Sequence, residues 1–280
     1  MAFIEALKYL FLGIVQGVTE VLPISSSGHV EISRYILKID FADNILFLII
    51  VNTGSLFTFI FLYRERLLRL ITSFFVYIFN KAKRDSVKSD FVYILKIIVA
   101  IIPAGLVGLI LEDTINDILS THGLLLVGIG LLLTATVLYY ITREEPFDSK
   151  RKNLSWTDIV LMGLAQSVAL IPGVSRSGMT SSAALKRGNS VESALDFSFI
   201  IYIPVSIGSI LLMFIDIFRG EKVVYENNQI FLYLLAFLGA MIATYIAYNL
   251  IFNIFKSGKI KYFSYYCFGA SAFAILLYIL

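Results

Sequence analysis

The sequence predicts an all-α polytopic membrane protein, an inverted-topology repeat with six transmembrane helices plus two re-entrant helical hairpins, and three observations predict it. The 280-residue chain is 58% hydrophobic and 15% charged, with a mean hydropathy of +0.84. That is more apolar surface than one water-surrounded core can bury. Apolar runs at 45–63, 92–111, 123–141, 196–218, 230–255 and 262–280 approach the ~20 residues that cross a hydrocarbon core of ~30 Å as a helix. They are continuously apolar, without the alternation of a membrane barrel strand. Finally, Gly13, Gln16, Val18, Ser25, Ser27 and Gly28 recur as Gly163, Gln166, Val168, Ser175, Ser177 and Gly178, each pair 150 positions apart. Proline shifts by one, Pro23 against Pro172, which marks an internal repeat.

The elements follow in chain order. Phe3 to Leu22 has no basic leader and carries Glu5, Lys8 and Glu20, with no small-residue cleavage site after it, so it reads as part of the mature chain rather than a signal peptide. Residues 1–44 then form a hairpin that turns at LPISSSGH. After the first apolar run, 64–90 is strongly basic through Arg64, Arg66, Arg69, Lys81, Lys83, Arg84 and Lys88, which places it in the cytoplasm. Its apolar patch 67–79 is short and suits the interface. Segment 112–122 has no Lys or Arg and holds Glu112, Asp113 and Asp117, so it is expected as an outer loop with His122 solvated. Arg143, Lys150, Arg151 and Lys152 return 142–155 to the inside; Lys256, Lys259 and Lys261 put 256–261 inside and 219–229 outside.

Because 155 and 196 both lie inside, the segment between them must enter and return. Its middle, LIPGVSRSGM, breaks a helix at membrane depth with Pro172 and two glycines. The first hairpin enters from the opposite face. Repeat one therefore spans 1–141 and repeat two 156–280 of a single membrane domain, and in such inverted repeats the site lies where broken helices meet. Trp156 suits an interfacial anchor, and Lys96, Glu192 and Asp196 lie near helix ends where their heads can snorkel. Cys267 has no partner cysteine and reads as a packing residue.

Each Ser-rich turn is expected at a helix N-terminus, before His29 to Leu37 and before Met179 to Arg187. Unpaired N–H groups and the positive helix end favour an anion there. Ser25, Ser27, Ser175 and Ser177 add donors, and Gly28 and Gly178 allow close backbone approach. Two such ends converging would cradle more than one phosphate. The copies differ at one position: Ser26 in the first is Arg176 in the second, a nucleophile against a planar cation suited to phosphate. Glu20 and His29 flank Ser26, and Gln16 lies one helical turn before Glu20. Ionised groups at this depth imply pairing or a water-filled cavity. The amides of Gln166 and Asn52 suit interhelical bonds, with substrate or metal contact as the alternative. With only His29 and His122 and one cysteine, no cluster of Cys and His resembles a zinc or iron site, whereas a hard cation held by carboxylate and phosphate oxygens fits the residues present.

GIVQGVTEVLPISSSGH at 13–29 and MGLAQSVALIPGVSRSGM at 162–179 closely resemble the two signatures of the undecaprenyl-diphosphate phosphatase family, the bacitracin-resistance phosphatases. The resemblance implies hydrolysis of a polyprenyl diphosphate lipid to its monophosphate, recycling the carrier of cell-wall synthesis. It also implies a divalent cation, Mg or Ca, a plasma-membrane location and an outward-facing site. Matching by position carries over Gln16, Glu20, Ser26, His29, Ser175 and Arg176. Position 16 is uncharged here, so Glu20 alone would carry a metal's charge or act as base. Ser26 is the expected nucleophile, with water or His29 as variants. The net charge of +3 gives no reason for a nucleic-acid partner, and a homodimer is compatible with the sequence.

Rival readings differ in testable ways. Lipid phosphatases of the phosphatidic-acid phosphatase type need a second histidine shortly after their arginine, and none follows Arg176. A polyprenyl-phosphate transporter or flippase would use the anion cradle but has no need of a nucleophile beside a carboxylate and an imidazole. A purely structural scaffold leaves Glu20 and Arg176 unexplained.

Overall fold

The computed structural model describes residues 2–39, 44–143, 151–218, 229–256 and 259–280. Among them it is helical with no strand: α1 (Ala2–Val21), α2 (Ser26–Leu37), α3 (Asn44–Leu62), α4 (Arg64–Phe79), α5 (Arg84–Thr142), α6 (Trp156–Val168), α7 (Arg176–Lys186), α8 (Val191–Phe218), α9 (Gln229–Lys256) and α10 (Ile260–Ile279). Six stretches are long and apolar enough to cross a membrane: Leu46–Phe79, Lys81–Leu111, Thr121–Thr142, Val191–Ile215, Gln229–Ile251 and Ile260–Ile279. Each overlaps one of the six expected runs. Large apolar side chains such as Phe3, Phe61, Leu109, Ile110 and Phe231 stand exposed on the outside, as lipid-facing positions require.

Two expectations need correction. Segment 112–121, expected as a loop, continues α5 as helix up to a break at His122, whose φ of −132° and ψ of 34° are not helical. Leu111, Ile115, Ile118 and Leu119 recur at helical spacing there, and that period outweighs the acidic residues between them. Asp196 does not simply reach the interface: it pairs with Arg66, and both side chains are about three-quarters covered. The expected outer segment 219–229 falls almost wholly outside the described residues, as does Lys150. The patch 67–79 is part of α4, whose Ser73 donates to Asp90 Oδ2 at 2.9 Å and whose Tyr77 stacks on Phe91.

α1–α2 and α6–α7 are each a helix, a short break and a second helix, and the four helices lie outside the six candidate spans. Charge ties the ends of both hairpins, with opposite sign. Lys8 Nζ donates to the carbonyl of Leu37 at the end of α2, at 2.7 Å. In the second hairpin the fully buried Asp158 receives Arg151 and, at 3.1 Å, Arg187 just past α7. Burial alone would raise the Asp158 carboxyl, but hydrogen bonds from the Ser155 amide and hydroxyl, with the guanidinium groups of Arg187 and Arg151, hold it down at about 2. Asp158 also closes a capping box with Ser155 that fixes the start of α6.

Helix packing exchanges partners between the halves: α1 lies along α9, and α6 along α5. One close contact recurs in both halves. Gly13 faces the backbone of Ala236 so closely that a Cβ there would collide with the Ala236 carbonyl oxygen. Its repeat mate Gly163 stands in the same relation to Ala100, where a Cβ would come within 2.6 Å of the carbonyl oxygen. Backbone contact of this kind is how membrane helices associate without a hydrophobic driving force. Gly13→Val is therefore expected to lower detergent-solubilised stability by at least about 2 kcal/mol through overpacking, whereas Gly105→Ala, which meets open space, leaves the melting temperature within about 2 °C.

Candidate functional site

The breaks of the two hairpins meet. In the first, Ser25 caps α2, its hydroxyl accepting from the Gly28 amide at 3.3 Å; in the second, Ser175 caps α7, accepting from the Gly178 amide at 3.1 Å. The Ser-rich stretches are thus caps and first helical turns rather than loops. The amides of Ser26 and Ser27, and of Arg176 and Ser177, lie in first turns, where a helix provides no carbonyl partner. A Cβ on Gly28 would touch Gly173 at 3.2 Å, and one on Gly178 would touch Pro23 at 3.3 Å, so each first turn abuts the other copy's break. Ser177 Oγ crosses to the carbonyl of Leu22 at 3.2 Å, and the Ser175 amide donates to Thr134 Oγ1 of α5 at 2.9 Å. The Ser27 hydroxyl lies 3.4 Å from that of Ser25.

Glu20 is the hub. Its side chain is 5% exposed, and three donors converge on it: Gln16 Nε2 at 2.8 Å and Ser26 Oγ at 2.5 Å on Oε2, and Arg176 Nη2 on Oε1. Gln16 and Ser26 are local partners, one turn back and six residues on. Arg176 arrives from the other half of the chain. Pairing answers the cost of burying ionised groups. The guanidinium carbon of Arg176 lies over the ring of Tyr202 on α8, 3.9 Å from its centroid.

His29 is close in sequence but turned elsewhere. Its Nδ1 lies 2.7 Å from the Ser25 carbonyl oxygen, which only accepts, so Nδ1 carries the proton and Nε2 accepts from the Tyr266 hydroxyl at 2.8 Å. The two rings stack at 5.4 Å. Neither nitrogen is directed at Ser26 or Glu20; the ring instead holds the Ser25 carbonyl. Ser25 itself has φ 71°, unusual for a side-chain-bearing residue, while its mate Ser175 has φ −78°. Strain of about 1–3 kcal/mol is therefore confined to the copy that carries Ser26.

Asn52 does not reach Glu20. Its Oδ1 accepts from the Tyr202 hydroxyl at 2.9 Å, and its Nδ2 donates to Ser206 at 3.3 Å, the interhelical role expected of such an amide. Gln166 is 1% exposed and neither atom of its amide has a partner among the described residues, so its expected interhelical bond is not made. Sequence reasoning missed Tyr202, Tyr266 and Thr134. The two tyrosines sit in aromatic-rich apolar helices where nothing in the pattern separates them from lipid-facing neighbours, and Thr134 lies in an apolar run.

A resident cation has few ligands to use. Among the described residues no three of His, Cys, Asp and Glu stand together. Both Glu20 oxygens already accept hydrogen bonds. The donor set suits a hard divalent ion only when substrate phosphate oxygens complete its shell, the regime in which one carboxylate suffices.

A sequence model of the family described as bacitracin resistance protein BacA matches residues 9–273 of the chain. The chain is 42% identical over 269 residues to "Undecaprenyl-diphosphatase 2" of Bacillus thuringiensis (strain Al Hakam), covering 95% of each chain. It is 41% identical over 266 residues to "Undecaprenyl-diphosphatase" of Oceanobacillus iheyensis, covering 95% of this chain and 94% of the other. To "Undecaprenyl-diphosphatase" of Parabacteroides distasonis it is 35% identical over 268 residues, again covering 95% of each.

Proposed function

The chain belongs to the bacitracin resistance protein BacA family, and from that premise we propose how its two converging turns carry out the reaction. The protein is a multi-pass membrane enzyme that hydrolyses undecaprenyl diphosphate to the monophosphate and phosphate and confers bacitracin resistance. Regenerating the monophosphate carrier for cell-wall synthesis is the role this reaction supports. The observation that carries the mechanistic reading is the single carboxylate of Glu20 held between Ser26 and Arg176.

The first-turn amides of α2 and α7, with Ser25, Ser27, Gly28, Ser175, Ser177 and Gly178 around them, receive the diphosphate oxygens. The incoming anion draws Arg176 to itself. Glu20, released from that partner, accepts the Ser26 proton. Ser26 Oγ forms a bond to the terminal phosphorus, the bridging oxygen–phosphorus bond breaks, and undecaprenyl monophosphate leaves as its anion. Water next attacks the phosphoserine; the Ser26 oxygen departs and takes back the proton held by Glu20, and phosphate is released. Gln16 steadies Glu20, and His29 holds the Ser25 carbonyl and so the turn that presents Ser26.

Glu20 together with phosphate oxygens would hold a divalent cation, Mg or Ca, which would supply neutralising charge. Purified protein in detergent is expected to release phosphate from undecaprenyl diphosphate and to lose at least about tenfold of that rate when a chelator removes divalent ions. An undiminished rate in chelator would remove the cation from the scheme. Transport of the lipid in vesicles without any phosphate release would favour a carrier instead.

The basic segment 64–90 supports a plasma-membrane orientation with that segment inside and the break at His122, together with the site, facing outward. His122 is exposed and the native Cys267 is buried. A His122→Cys variant in intact cells is expected to react with a membrane-impermeant maleimide while the wild type stays unlabelled. Labelling only after cell lysis would reverse the orientation.

A further inference from the structure

We propose that Tyr202, locked by Asn52, is a positioning residue for Arg176: its ring face fixes the guanidinium in the plane in which it meets the diphosphate. The inference rests on the reading that Arg176 grips the diphosphate, and adds what holds that grip in place.

Arginine has a long, rotatable side chain, and its useful property here, a planar fork, is wasted unless the plane is fixed. Glu20 restrains one nitrogen, Nη2. That contact is the one the substrate must compete with, so it fails as a restraint when restraint is needed. The Tyr202 ring, whose centroid lies 3.9 Å from the guanidinium carbon and with Tyr202 only 2% exposed, is a second restraint that does not depend on Glu20. A cation over an aromatic face is most strongly held where water is excluded.

Tyr202 is in turn held at its far end. Its hydroxyl donates to Asn52, at 2.9 Å from the side-chain oxygen and 3.0 Å from the backbone oxygen, and Asn52 Nδ2 reaches Ser206 one turn further along α8. Phe59 packs edge-on against the same ring with centroids 4.9 Å apart. Asn52 and Tyr202 are themselves 150 positions apart, the spacing of the repeat. Equivalent positions of the two halves meet here, on α3 and α8, and their differing side chains turn a symmetric crossing into a one-sided support for the only arginine of the two turns.

The test keeps the ring's shape and changes only its electrostatics. The full-length protein is made with Tyr202→Phe as reference, and then with phenylalanine carrying one, two or three ring fluorines at the same position, since each fluorine withdraws electron density from the face. Initial rates on undecaprenyl diphosphate are expected to show kcat/KM falling stepwise, to about tenfold below the reference at three fluorines. Melting temperature in detergent should stay level across the series. In an Arg176→Lys background, where no planar fork remains to be aligned, the same series is expected to spread over less than about threefold. A flat series in the Arg176 enzyme overturns the proposal, and so does an equal decline in both backgrounds. If Arg176→Ala retains wild-type turnover, the reading of Arg176 as diphosphate ligand fails first, which is a separate result.

Discussion

Ser26→Ala is expected to lower kcat for undecaprenyl diphosphate by at least about a thousandfold, with KM changed much less. The expectation follows from geometry and precedent magnitude together. Ser26 donates to a buried carboxylate at 2.5 Å, the arrangement that turns a hydroxyl into a nucleophile, and removing a nucleophile that acts as one unit with its base forfeits most of the catalytic advantage. Its fall should not be a folding effect, because Ser26 is only partly buried and caps nothing: the cap of α2 is Ser25. A rapid-quench experiment with radiolabel in the terminal phosphate should trap label on the wild-type protein and none on the variant. Near-normal turnover by Ser26→Ala would hand the attack to water, with Glu20 as its base. His29 would be a weak substitute, since both of its ring nitrogens are engaged by Ser25 and Tyr266.

Glu20→Gln carries the second large effect, and it should appear in two measurements that separate on a double variant. The substitution removes the base and leaves Arg176, 22% exposed at its side chain, without its counter-ion. Breaking such a pair on one side costs about 3–5 kcal/mol, because a charge remains buried and unpaired. Turnover should also fall by at least about a thousandfold, since the proton on Ser26 loses its acceptor. Adding Arg176→Gln to Glu20→Gln removes the stranded charge, so stability in detergent should recover by at least about 2 kcal/mol while activity stays absent. Recovery of both would mean that the pair is structural. Recovery of neither would mean that the carboxylate and the guanidinium each hold the hairpins through separate contacts.

The residues that gather around Glu20 were legible in the sequence, for a physical reason. In a chain this apolar, each charged or hydroxyl-rich position at membrane depth is costly and so stands out against its surroundings. Glu20, Ser26 and Arg176 could be singled out that way, and the fixed offset of the repeat identified the turns that carry them. The six apolar runs were legible because a hydrocarbon thickness imposes a length. The segment 112–121 was misread because charge was weighed above period, although Leu111, Ile115, Ile118 and Leu119 carry the helical spacing. Gln16 and Glu20 could be placed on one face because four residues make about one helical turn.

What the sequence by itself determined, then, is local: the apolar runs, the two breaks, the Ser-rich turns and the substitution of arginine for serine between the copies. Only the tertiary structure decided which of these meet. That Arg176 closes on Glu20, 156 positions away, depends on α1 seating against α9 and α6 against α5, which the glycines at 13 and 163 permit by letting backbones touch. That His29 faces Tyr266 rather than Ser26, and that Tyr202 lies under the guanidinium, likewise depends on where α10 and α8 pass. Spacing along a chain fixes neighbours within a turn or two of helix. Contacts between distant helices are set by how side chains and backbones fill the space between them, and no pattern in the aromatic residues of α8 or α10 records the result.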